Sequence, residues 1–148
     1  MKARSKARSA ARLAAVQALY QFDMEAPSMA KLLDEFHRHR LGAEIEGDQY
    51  AQAETAFFDD VVQGVAARKD EIDALLATKL AKGWTLERLD KTLLQVLRAG
   101  AYELLGRADV PTASVITEYV DVAHAFFESR EAKFVNGLLD AVARVVRS

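Results

Sequence analysis

Cysteine is absent from this 148-residue chain, which removes a disulfide framework, a thiolate nucleophile and any thiolate metal site. Proline is scarce, and both prolines, Pro27 and Pro111, fall where the sequence already reads as a connection, so long stretches are left free to be helical. The alternation of apolar and polar residues that marks a half-buried strand is missing. So is any run of about 18 consecutive apolar residues, the minimum for a membrane-spanning helix. The first residues are basic, but Arg12 and Gln17 interrupt their apolar positions, which argues against a secretory signal. Together these absences lead us to expect a cytoplasmic protein with no membrane segment.

What is present is apolar content and lopsided charge. At 51% hydrophobic residues, the chain can bury a core without covalent staples. The formal net charge of −2 conceals an uneven distribution. Lys2, Arg4, Lys6, Arg8 and Arg12 give the first 12 residues a charge of +5 with no acid. The remaining 15 basic residues face all 22 acidic ones, a balance of about −7. An acidic body with a basic amino-terminal end is not a general nucleic-acid coat, but it accommodates a local phosphate site.

Helical periodicity runs through nearly the whole sequence and predicts an all-α fold of six to seven helices. A first helix is predicted from near Ser5 to Met24, ended by Pro27, with Ser28 capping a second, MAKLLDEFHRHR. LGAEIEGDQ reads as a loop. Residues 50–80 suit one bent helix or two, with a break near Gly64 or at Arg68–Asp70. Trp84–Arg107 repeats leucine at three- and four-residue steps and is predicted as the central core helix, stopped at Gly106. A turn at Asp109–Pro111 precedes a helix over 112–127, and Ser129 and Glu131 start the last one. Gly137 inside that helix costs about 1 kcal/mol relative to alanine, so it is predicted to mark close approach of a neighbouring helix.

No catalytic constellation emerges. His37 and His39 sit at a helix end, where cationic side chains complement the terminal dipole. Asp121 and His124, three residues apart, share a helix face, yet a di-iron bundle requires a second Glu-x-x-His helix that is not present. Asp59 and Asp60 point about 100° apart on a helix and are expected to be solvated rather than paired. Phosphate loops, nucleophile elbows and zinc spacings are missing. We therefore expect no enzyme activity, cofactor or metal. Phe57, Phe58, Phe126, Phe127 and Phe134 are expected in the core, with one ring of each adjacent pair partly exposed.

Arg4, Arg8 and Arg12 are different, because residues four apart rotate by only about 40° around a helix. Three guanidinia would form one stripe beside the small residues Ala3, Ala7 and Ala11, suited to phosphates and bases. A solvated terminus explains the same charges equally well on this pattern alone.

Four blocks carry a resemblance over nearly the whole chain: ARLAAVQALY at Ala11–Tyr20, the stretch from Trp84 to Leu105 with RLDKTLLQVLRAGAYEL, DVPTASVITEYVDVAHAF at Asp109–Phe126, and KFVNGLLD at Lys133–Asp140. In order and spacing the chain resembles the NusB family of bacterial transcription antitermination factors. The last block also occurs in a domain preceding certain ribosomal RNA cytosine methyltransferases, so alone it would mark only the fold type; with no methyltransferase domain following it in this sequence, the stand-alone type is the expected match. The resemblance implies two packed helical bundles within one RNA-binding domain of residues 1–148, approximately 1–80 and 81–148. It implies boxA RNA as ligand, the small-subunit ribosomal protein acting as NusE as partner, and assembly with RNA polymerase, including on ribosomal RNA transcripts. RNA contacts in the family map onto Arg4, Arg8 and Arg12, and onto Phe126, Arg130, Lys133 and Phe134. The contrasting expectation is a helical adaptor whose basic end meets an acidic protein. Monomer and homodimer stay open.

Overall fold

A computed structural model of the chain describes the backbone of residues 2–39, 41 and 48–147, with side chains described for 6–39, 41 and 55–147. Its described residues form seven α-helices and one short 3-10 turn, with no strand: α1 (Lys2–Glu25), α2 (Met29–His39), α3 (Asp48–Ala67), α4 (Lys69–Ala77), α5 (Lys91–Gly106), α6 (Thr112–Phe126) and α7 (Ser129–Val146). Most of the predicted loop at residues 41–49 lies outside the described residues, and Asp48 and Gln49 already belong to α3. The chain divides into two compact units, Met1–Gln63 and Gly64–Ser148. That division falls inside α3 rather than near residue 80, because α4 packs on α5 within the second unit.

In the first unit, α1 buries a face of small residues, Ala7, Ala11, Ala14, Ala15 and Ala18, together with Val16 and Leu19. Alanine is the strongest helix former and keeps the side-chain layer thin. The helix ends where Ala26 turns into the left-handed region at φ 50°, directly before Pro27, which cannot continue the hydrogen-bond ladder. Ser28 then caps α2 as its sequence predicts, its Oγ accepting the Lys31 N–H at 3.2 Å. Phe36 stacks on Phe58 at 5.5 Å between centroids, fixing α2 against α3. Both rings of the Phe57–Phe58 pair are buried, whereas one was expected to be partly exposed.

The second unit is organised around α5, which is buried on every side from Leu93 to Leu104. Asp90 starts it, accepting from the backbone N–H groups of Thr92 and Leu93 at 2.8 and 3.1 Å. The helix therefore begins later than Trp84, and Leu86–Arg88 form a 3-10 turn instead. Trp84 itself is exposed, with the Arg88 guanidinium 4.5 Å over its ring. Polar groups carried inward by α5 are satisfied: Arg98 donates to both carboxylate oxygens of Asp73 at 2.8 Å, and the Tyr119 hydroxyl donates to Glu103.

Close helix approach occurs at Gly100, where an added Cβ would stand 2.7 Å from the Leu139 side chain, and at Gly64, whose Cβ position is taken by the Tyr102 ring. Gly137 is a correction to the sequence reading, because a Cβ there would meet nothing within 4 Å. Its face of α7 is open.

Beyond α5 the corner into α6 is held by Arg147. Its guanidinium donates to the carbonyl oxygens of Glu103, Leu104, Arg107 and Val110 at 3.1, 2.9, 2.8 and 2.7 Å, and to the Thr112 hydroxyl at 3.1 Å. The Glu103 and Arg107 carbonyls also accept the backbone N–H groups of Arg107 and Val110, so the guanidinium adds a second donor there and supplies one to Leu104 at the end of α5 from a residue far along the chain.

Candidate RNA interface

The amino-terminal cations are positioned by one ring. Arg8 and Arg12, a turn apart on α1, place their guanidinium carbons 4.4 and 4.8 Å from the centroid of Phe57 on α3. Attraction between a cation and the electron-rich face of a ring is worth about 0.5–2 kcal/mol, most where water is excluded. Arg12 keeps only 4% of its surface accessible, so it is a buried anchor rather than part of a solvent-facing stripe. Arg8 is half-buried and retains an outward edge. The backbone of Arg4 continues α1, but its side chain lies outside the described residues.

In the second unit, side chains gather at the turn from α6 to α7. Phe126, at the end of α6, is 39% exposed and lies against Phe127 with centroids 6.2 Å apart. On α7, Arg130 extends into solvent and bonds the Glu131 carboxylate at 3.2 and 3.0 Å. That hydrogen bond, more than any other influence, holds the Glu131 carboxyl below its ordinary range. Lys133 is exposed and has no ion-pair partner among the described residues. Phe134, 37% exposed, follows Arg130 by four positions. At about 100° per residue, Arg130, Lys133, Phe134 and Gly137 occupy an arc of about 100°.

Beside that arc runs a groove of about 310 Å³ between α6 and α7, lined by Thr117, Val120 and His124 on one side and Ser129, Ala132, Lys133 and Asn136 on the other. An apolar floor with hydroxyl, amide, imidazole and ammonium groups at its rim can receive a planar polar group. Lys133 belongs to both groove and arc. Thr117 and Asn136 carry no signal of their own in the sequence, and Ser129 is marked there only as a helix start. What they share is the matched spacing on two helices, Thr117-Val120-His124 and Ser129-Ala132-Lys133-Asn136, which acquires meaning only once the helices are known to be neighbours.

The remaining titratable candidates fall elsewhere. His37 Nε2 and Asp59 Oδ1 approach to 2.6 Å, so Asp59, expected to be solvated, joins α2 to α3. Asp121 and His124 are both exposed and no bond joins them. Among the described residues no group of three or more His, Asp or Glu side chains could hold a metal ion, and no described helix is long and apolar enough to cross a membrane.

The described residues are all-helical, with exposed cationic and aromatic side chains together at the start of the last helix. The chain belongs to the NusB family, whose sequence profile matches residues 9–144. It is 74% identical over 142 residues to the transcription antitermination protein NusB of Novosphingobium aromaticivorans, covering 96% of each chain. The protein of that name from Sphingopyxis alaskensis is 61% identical over 147 residues, covering 99% of each. Among solved structures, T. maritima NusB superposes with a TM-score of 0.77 at 29% identity, covering 93% of this chain and 90% of that one. A crystal structure of the antitermination factors NusB and NusE in complex with dsRNA matches with a TM-score of 0.77 over 95% of this chain and 98% of that one. At 23% identity that last likeness is one of fold.

Proposed function

We propose that the chain acts in transcription antitermination by binding boxA-type RNA jointly with the ribosomal protein that serves as NusE. The pair then joins the RNA polymerase antitermination complex, including on ribosomal RNA transcripts. Membership of the family over residues 9–144 carries this reading. The chain's role is binding, not catalysis. Arg4, Arg8 and Arg12 supply one cationic element, with Arg12 acting chiefly through its hold on Phe57, and Phe126, Arg130, Lys133 and Phe134 supply another. Phosphates pair with the cations, and unstacked bases lie on the exposed rings. Because the basic end is attached to an acidic body, binding should be modest and salt-sensitive, and a basic ribosomal protein should strengthen it.

The test is a salt titration of boxA RNA binding, with and without NusE, for wild type and two variants. Arg8→Glu is expected to weaken binding at least about tenfold, the equivalent of one charge-assisted hydrogen bond. The slope of log affinity against log salt should become shallower by about 0.7, one lost single-strand phosphate contact. Lys133→Ala should weaken binding without abolishing it. Wild-type affinity in the Arg8 variant would remove α1 from the interface, and binding of an acidic protein without RNA would favour the adaptor instead.

A further inference from the structure

Gly137 weakens α7, since glycine is a poorer helix former than alanine, and no packing contact accounts for it. Where this fold uses glycine for close helix contact, as at Gly64 and Gly100, a side chain fills the space a Cβ would take; at Gly137 that space is empty. The glycine lies one turn after Lys133 and three residues after the exposed Phe134, within the arc that also carries Arg130. A bare patch of helix is thus bracketed by a cation without an ion-pair partner and an exposed ring. Glycine in such a position lets another backbone approach closely.

We propose that a single RNA strand crosses α7 at Gly137, its sugar-phosphate backbone lying against the exposed helix. The inference rests on the RNA-binding reading above and adds a path to it. The occupant follows from the two neighbours, because a phosphodiester satisfies the Lys133 ammonium while its base stacks on Phe134. The strand then continues over Lys133 toward the groove between α6 and α7, where the Asn136 amide and His124 imidazole stand at the rim. A methyl group at position 137 would hold the strand off the helix and weaken both flanking contacts together.

The two effects of such a methyl group have opposite signs, which makes the test specific. Gly137→Ala is expected to raise Tm by about 2–4 °C while weakening the binding of a single-stranded boxA RNA, with NusE present, about tenfold. Gly137→Leu should weaken binding further and melt no lower than wild type. If wild type and both variants bind equally while Arg8→Glu loses affinity, the crossing at Gly137 is overturned and the RNA-binding reading stands. If wild type itself fails to bind the RNA with NusE, the underlying reading fails and the crossing with it. A fall in both Tm and affinity for Gly137→Ala would also overturn the inference, because the position would then be packed rather than open.

Discussion

Arg12→Glu is expected to lower the stability of the protein by about 3 kcal/mol or more, the scale for leaving a buried charge without its compensation. For a chain of this size that corresponds to a fall in Tm of roughly 10 °C. Arg12 is only 4% exposed and its guanidinium lies over the Phe57 ring. Reversal would set a shorter carboxylate in that space, facing the electron-rich side of the ring it replaces a cation upon. Arg12→Met, which keeps an unbranched apolar stem, should recover most of the loss. Arg8→Glu, at a half-buried position over the same ring, should cost only about 1 kcal/mol. Thermal melts of the three variants followed by circular dichroism provide the check. An unchanged Tm for Arg12→Glu would mean that Arg12 is solvated, as a stripe of three surface arginines requires. The consequence for function is practical: loss of RNA binding in an Arg8/Arg12 double reversal would report folding as much as contact, and Arg8 alone is the informative position.

Arg147→Met should be comparably damaging, although the residue touches no candidate RNA contact. Its guanidinium donates to four backbone carbonyls and one hydroxyl around the corner from α5 to α6. Methionine preserves much of the stem and none of the donors. Hydrogen bonds from a charged donor contribute about 1.5–3 kcal/mol each in isolation, but they are not additive, and water can reach part of this corner. We expect a net loss of about 3 kcal/mol, again roughly 10 °C in Tm. Amide exchange should rise at Arg107–Val110 before it rises in the middle of α5. Melting within about 2 °C of wild type would show that water replaces the guanidinium without penalty. Arg147→Lys is the companion variant, and it should recover little, since a single ammonium cannot address carbonyls spread around a planar fork.

Much of the helical order was legible because local rules and tertiary packing agree. Pro27 and Ser28 mark the end of one helix and the start of the next by backbone chemistry that needs no partner, and Asp109–Pro111 does the same between α5 and α6. Of the two predicted break positions, Arg68–Asp70 corresponds to the real one, where Arg68 leaves helical geometry at φ −112°, ψ 22° before α4, while α3 runs on through Gly64. The start of α5 was misread because Leu86 and Leu89 keep helical spacing while the Asp90 side chain binds the N–H groups that define the true beginning.

The site was less legible than the fold, and the reason is sequence distance. Nothing near Arg12 announces Phe57, and nothing near His37 announces Asp59, 22 residues away. Gly137 shows the limit from the other side: its cost to the helix is evident in sequence, but whether a neighbouring helix or open space faces it depends on where α5 and α6 lie. Phe126, Arg130, Lys133 and Phe134 came from family likeness rather than from periodicity. Their common exposure around the start of α7 is a property of the folded unit.

The buried length of α5 has a consequence for uniqueness. A helix apolar on every side could settle among its neighbours in several rotational settings of similar energy, since leucine accepts many partners. Arg98 and Glu103 remove that freedom, because each has its counter-group, Asp73 or Tyr119, at a single azimuth. Turning the helix by one residue, or sliding it by one, would strand a guanidinium and a carboxylate in an apolar environment together. These two residues thus act as an index mark for α5, rejecting neighbouring settings more than they deepen the native one, and through α5 they fix the registration of α6 and α7 on which the shape of the groove depends.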